Sequence, residues 1–86
     1  MNEKIFRFKV LPQAGILEKI TEGVYIEPLK LRGIGLREKD GNCYIILYFK
    51  NNFVLSKKLE NEEEAIRFLE EINIEVVENK MEVKNV

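Results

Sequence analysis

Seven apolar residues in succession, Cys43, Tyr44, Ile45, Ile46, Leu47, Tyr48 and Phe49, limit what this chain can become more than any other stretch. Aromatic and β-branched types dominate the run, which suits a pleated surface, and a strand apolar at every position needs shielding on both faces. The next apolar element is a helix. From Asn61 to Ile72, Ala65, Ile66, Leu69 and Ile72 form one stripe, while Glu63, Glu64, Arg67, Glu70 and Glu71 form the wet side. One helix covers one face of a sheet. What shields the other face is the question on which function turns.

The remaining elements follow from local chemistry. Asp40 and Gly41, between Lys39 and Asn42, accept the left-handed conformations of a tight turn, so the strands beside them should be antiparallel. A three-residue loop, Lys50 to Asn52, pairs Phe49 with Phe53. That register gathers Cys43, Ile45, Leu47, Phe49, Phe53, Leu55 and Leu59 on one face and Tyr44, Ile46, Tyr48, Val54, Ser56 and Lys58 on the other. Asn61 is a good N-cap with Glu64 as its capping-box partner, and Asn73 suits a left-handed helix end. Upstream, Glu3 to Val10 alternates as a half-buried strand, with Phe6, Phe8 and Val10 toward the core and Ile5, Arg7 and Lys9 away from it, until Pro12 ends the ladder.

Ile16, Leu17 and Ile20 have helical spacing, so Gln13 to Glu22 reads as a two-turn helix stopped at Gly23, and this is the element available to cover the second sheet face. Val24 to Leu31 reads as a strand bent at Pro28, Ile74 to Glu78 as a strand, and Asn79 and Lys80 as a turn into Met81 to Val83. The fold expected is α+β: an antiparallel sheet of four to six strands with one main helix, Asn61 to Ile72, on one face. With 13–22 helical, the order approaches the βαββαβ of a ferredoxin-like fold; without it, the chain is a curled meander closed by one helix.

At 86 residues the chain reads as one domain, burying about two-thirds or less of the surface its unfolded form exposes. Its 45% hydrophobic content is too high for disorder, and no apolar run is long enough to span a bilayer. Met1 to Lys4 lack the apolar stretch of a signal peptide, and one cysteine makes no internal disulfide, so a reducing cytoplasm is the expected compartment. Charge is divided: net +5 up to Lys58 and net −6 beyond it. A basic sheet portion and an acidic helix portion suit an anionic partner or a second copy.

Catalytic chemistry has little to work with. The absence of histidine removes Ser-His and Cys-His nucleophiles and zinc sites of the usual spacing. Cys43 opens an apolar strand and reads as core, Ser56 and Thr21 lack a base, and the glutamates of 62–64 and 70–71 fall where a solvated helix wants them. No cofactor or metal is expected. Gly33 and Gly35 form GxG, but Glu38 holds the last position of the dinucleotide pattern and no helix follows.

Two stretches resemble known families. Arg32 to Leu36 is similar to the start of the inner-strand signature of the RNA-recognition motif, with Ile34 and Leu36 where that signature has its stacking aromatics. Leu11, Pro12, Gln13, Ala14, Gly15, Ile16, Leu17, Glu18, Lys19, Ile20 and Thr21 resemble the strand-to-helix entry of ACT regulatory domains, with Ala14 where that family usually has proline. The second resemblance implies a ferredoxin-like fold, pairing through sheets, and amino-acid binding at the glycine turn. Read from the residues, Tyr44, Ile46 and Tyr48, with Lys58, Arg7 and Lys9 near them, form an apolar tyrosine patch edged by cations. Three functions follow as expectations: a non-enzymatic interaction module that self-associates, single-stranded nucleic-acid binding on the same face, or small-ligand regulation in the ACT manner.

Overall fold

Asp40 and Gly41 have positive φ, 52° and 79°, and the strands they join, β5 (Gly33–Lys39) and β6 (Asn42–Tyr48), are antiparallel and paired along their full lengths. Asn-, Asp- and Gly-rich two-residue turns of this kind match the twist of the strands beside them. A computed structural model describes the backbone of residues 2–77 and 82–85 and the side chains of 3–77, so the turn expected at Asn79 and Lys80 lies outside the described residues. Around the central hairpin the main sheet adds β1 (Asn2–Phe6) beside β5, β7 (Phe53–Leu55) beside β6, and β9 (Glu82–Asn85) beside β1. The order is β7-β6-β5-β1-β9, antiparallel throughout.

Two short ribbons complete the α+β architecture: β2 (Phe8–Val10) with β8 (Ile74–Val76), and β3 (Glu18–Thr21) with β4 (Val24–Ile26). A single 3-10 turn at Pro28–Lys30 follows β4, where proline was expected to bend the chain. The strand read from Glu3 to Val10 is two strands. Its hydrogen bonding leaves the main sheet at Arg7, whose carbonyl accepts from the Val77 N–H at 2.8 Å.

Helix α1 (Glu62–Glu71) starts as its cap chemistry requires, the Glu64 N–H donating to Asn61 Oδ1 at 2.9 Å with three glutamates in the first turn. It closes at Asn73, whose φ of 63° is the left-handed conformation expected there. The buried stripe is Ala65, Phe68, Leu69 and Ile72; Ile66 is only half-buried, so Phe68 takes the place assigned to it. These side chains pack with Ile34, Leu36, Cys43, Ile45 and Leu47 in one core. Lys4 Nζ meets Glu62 Oε1 at 2.7 Å on the same side of the sheet.

Gln13 to Glu22 is not a helix. Ile16 and Leu17, which supplied the helical spacing, are exposed, and only Ile20 is buried. The period-two pattern of Glu18 to Thr21 prevails, because a two-turn helix offers few internal bonds while β4 offers a pairing partner, with a register shift at Ile20 and a turn at Gly23 with φ 75°. This hairpin covers the helix side: Ile20 and Ile26 belong to the α1 core. The ferredoxin-like order therefore lacks its first helix, and α1 is the only helix longer than one turn among the described residues. None is long and apolar enough to cross a membrane.

The β6–β7 register also differs. Tyr48 pairs with Phe53, Leu47 with Val54 and Ile46 with Leu55, across a four-residue loop in which the Phe49 N–H donates to the Asn52 carbonyl at 2.8 Å. One extra loop residue exchanges the two faces of β7. A bulge then restores them: Ser56 Oγ accepts from the Ile45 N–H at 2.8 Å, and Leu59 returns opposite Cys43 in the core. Val54 and Leu59 face α1, while Phe53 and Leu55 are turned to the uncovered face.

Candidate interaction face

Directly opposed residues share a face, so the registers define the side of the sheet away from α1. Glu3, Arg37 and Tyr44 form one row across it; Ile5, Gly35, Ile46 and Leu55 a second; Gly33, Tyr48 and Phe53 a third. Among the described residues, no helix or hairpin lies over these rows. Their shielding is done by their own side chains laid flat on the backbone.

Two glycines provide the floor. The Tyr48 ring lies across Gly33, where an added Cβ would come 3.6 Å from its Cδ2. The Glu3 carboxylate lies across Gly35, where an added Cβ would stand 2.7 Å from Glu3 Cδ. Glycine inside a strand marks such close approaches. Between the two floors Glu3 is held by Arg37 Nε at 2.9 Å to Oε1 and by the Tyr48 hydroxyl, which donates to Oε2 at 2.6 Å. Glu3 is thereby 3% exposed on a face that no other element among the described residues covers, and Ile46 beside it is 2% exposed.

A buried carboxylate persists only when paired and hydrogen-bonded, and here it is both. The hydrogen bond from Arg37 to Glu3 raises the guanidinium's already high pKa. Burial first, and then the bond to Glu3, push the Tyr48 phenol above its ordinary value. Burial likewise raises the Cys43 thiol, and the bond to Glu62 raises Lys4.

The Cys43 thiol, the Tyr48 phenol and the Lys4 ammonium all have folded values above their unfolded ones, so each contributes stability that is complete below the unfolded pKa and lost as pH climbs through the folded one. The urea midpoint should accordingly fall between about pH 9 and 11, the ordinary range of thiol, phenol and ammonium. Tyr48→Phe should flatten the upper part of that decline. An equally steep decline in the variant would show that Tyr48 has no part in it.

The residues expected near the tyrosines are only partly brought together. Tyr44, Ile46 and Tyr48 share the open face, the tyrosines half-buried. Lys9 lies on the β2–β8 ribbon, its Nζ 3.3 Å from Glu75 Oε2. Arg7 stands at the break between β1 and β2, and Lys58 follows the bulge after β7. The carboxylate at the centre is the group that reading the residues missed, along with Arg37, Phe53 and Leu55. A signal was present: Glu3 shares the parity of Ile5, and Gly35 stands between the apolar Ile34 and Leu36 of one strand.

Other candidate groups are already engaged. Ser56 Oγ accepts from the Ile45 N–H and donates to the Lys57 carbonyl at 2.8 Å, and Cys43 Sγ, buried, lies 3.4 Å from the Leu59 carbonyl. Gly15 opens no helix; its N–H donates to Glu18 Oε2, which also accepts from Asn73 Nδ2. The ACT-like entry thus lacks the helix that the resemblance implied. The class defined is a small antiparallel α+β protein with one open, side-chain-paved sheet face. Comparison of the chain with protein-family models, curated proteins and solved structures finds no match.

Proposed function

We propose that this protein is a non-enzymatic interaction module of the cytoplasm that pairs with a second copy through the open face of its sheet. One observation carries the reading: Phe53 is 59% and Leu55 47% exposed, side by side with Ile46 and the tyrosines on a face that no helix or hairpin among the described residues covers. Exposed clusters of this kind are characteristic of interfaces. Glu3 and Arg37 neutralise each other at the centre of the face. Face-to-face packing of two sheets, about 10 Å apart, buries both clusters around a two-fold axis.

The nucleic-acid alternative draws less support, since a carboxylate occupies the middle of the face and Lys9 is engaged elsewhere. Light scattering after gel filtration at high micromolar concentration should give the mass of a dimer. The double variant Phe53→Asp, Leu55→Asp changes only exposed side chains and should elute as a folded monomer with an unchanged circular dichroism spectrum. A wild-type chain that stays monomeric at that concentration overturns the reading.

A further inference from the structure

The outer edge of β7 and the cleft beside it have a use separate from the sheet face. The bonds Phe49 N–H to Asn52 carbonyl and Ser56 N–H to Ile45 carbonyl set the alternation of the β6–β7 ladder. In that alternation Phe53 and Leu55 occupy the pairs that exchange no bonds with β6, so their N–H and C=O groups point outward from the sheet. An added strand finds four backbone partners there.

Apolar side chains stand on both sides of this edge. Phe53 and Leu55 are on the open face, and on the helix side Tyr25, Leu29, Leu31 and Val54 share a cleft of about 670 Å³ with charged and amide side chains. Leu29 is 86% exposed at its mouth. Cations flank the edge: Arg32 and Lys50 line the cleft, and Lys57 and Lys58 follow the strand. None of the four makes an ion pair among the described residues, whereas the cleft's Glu27 is already 3.3 Å from Lys30.

We infer that this edge binds an extended, acidic segment of a partner protein, added antiparallel to β7 as a further strand. Main-chain bonds to Phe53 and Leu55 give affinity. Side chains alternate between the cleft and the open face, and carboxylates meet Arg32, Lys50, Lys57 and Lys58. A second copy fits this edge poorly. Residues 51–58 contain two lysines and no acid, and β7 paired with its own copy about Val54 sets Lys58 against the copy's Lys50. The inference does not depend on face-to-face pairing.

The test is a titration with an end-blocked peptide of four Glu-Val repeats, its Lys-Val counterpart, and a Glu-Val peptide N-methylated at alternate residues on its bonding edge. Binding is read by peptide fluorescence polarisation and by amide NMR shifts. The acidic peptide should bind with its largest shifts at the Phe53 and Leu55 amides, and the lysine peptide roughly tenfold or more weaker. The methylated peptide should not bind. Arg32→Glu with Lys50→Glu should weaken the acidic peptide by a similar factor while leaving the gel-filtration mass of the protein as it was. Equal binding of both charge forms, retained binding of the methylated peptide, no binding of the acidic one, or shifts centred on α1 would each overturn it.

Discussion

Gly35→Ala is expected to lower stability by about 2–3 kcal/mol, a large cost for adding one methyl to a strand, where filling space usually helps. The methyl would occupy the place of the Glu3 carboxylate, with Glu3 Cδ only 2.7 Å away. Glu3 would have to leave the sheet, abandoning Arg37 and the Tyr48 hydroxyl, and charge-assisted bonds of this type are worth about 1.5–3 kcal/mol. Arg37 is partly exposed and turns to water when released, which moderates the loss.

A double-mutant cycle isolates the cause. In a Glu3→Ala background the same Gly35→Ala change should cost less than about 1 kcal/mol, because no carboxylate remains in its way. Urea unfolding of the four proteins measures this. Additive costs would mean that Gly35 matters for some reason other than the closeness of Glu3.

Leu69→Ala should have the largest effect, about 2–5 kcal/mol, because the side chain is fully buried between α1 and the sheet and its removal leaves a cavity. Domains of this size hold only about 5–15 kcal/mol in total, so the variant should melt at least roughly 10 °C lower by circular dichroism. Leu29→Ala is the matched control. That leucine is 86% exposed, and its loss should stay within about 0.5 kcal/mol. Similar melting temperatures for the two variants would contradict the placement of α1 on the sheet.

Where a few adjacent residues decide a conformation, reading the residues and reading the structure agree. Asp40 and Gly41 make their turn, Asn61 caps its helix, and Asn73 ends it. Where two conformations have similar local merit, the structure chose the other. Ile16, Leu17 and Ile20 have helical spacing, yet a helix there would still have exposed one side of the chain, and pairing with β4 buries Ile20 and Ile26 together. The β6–β7 loop is one residue longer than the pattern suggested, which moved Phe53 and Leu55 from the core to the open face.

The candidate face was legible in part for the same reason. Tyr44, Ile46 and Tyr48 announce it as alternate members of one apolar strand. Glu3 could not be placed there from its own neighbours, because its partners Arg37 and Tyr48 are 34 and 45 residues away.

Composition and periodicity by themselves determined an α+β chain with an antiparallel hairpin, one amphipathic helix and a middle strand apolar on both sides. These properties depend on the handful of bonds and torsions that neighbouring residues share. Only the tertiary structure decided that both the helix and the 18–26 hairpin lie on one side, and that a glutamate, an arginine and two tyrosines pave the other. Those outcomes depend on competition among distant partners for the same buried surface, and no local pattern encodes which partner wins.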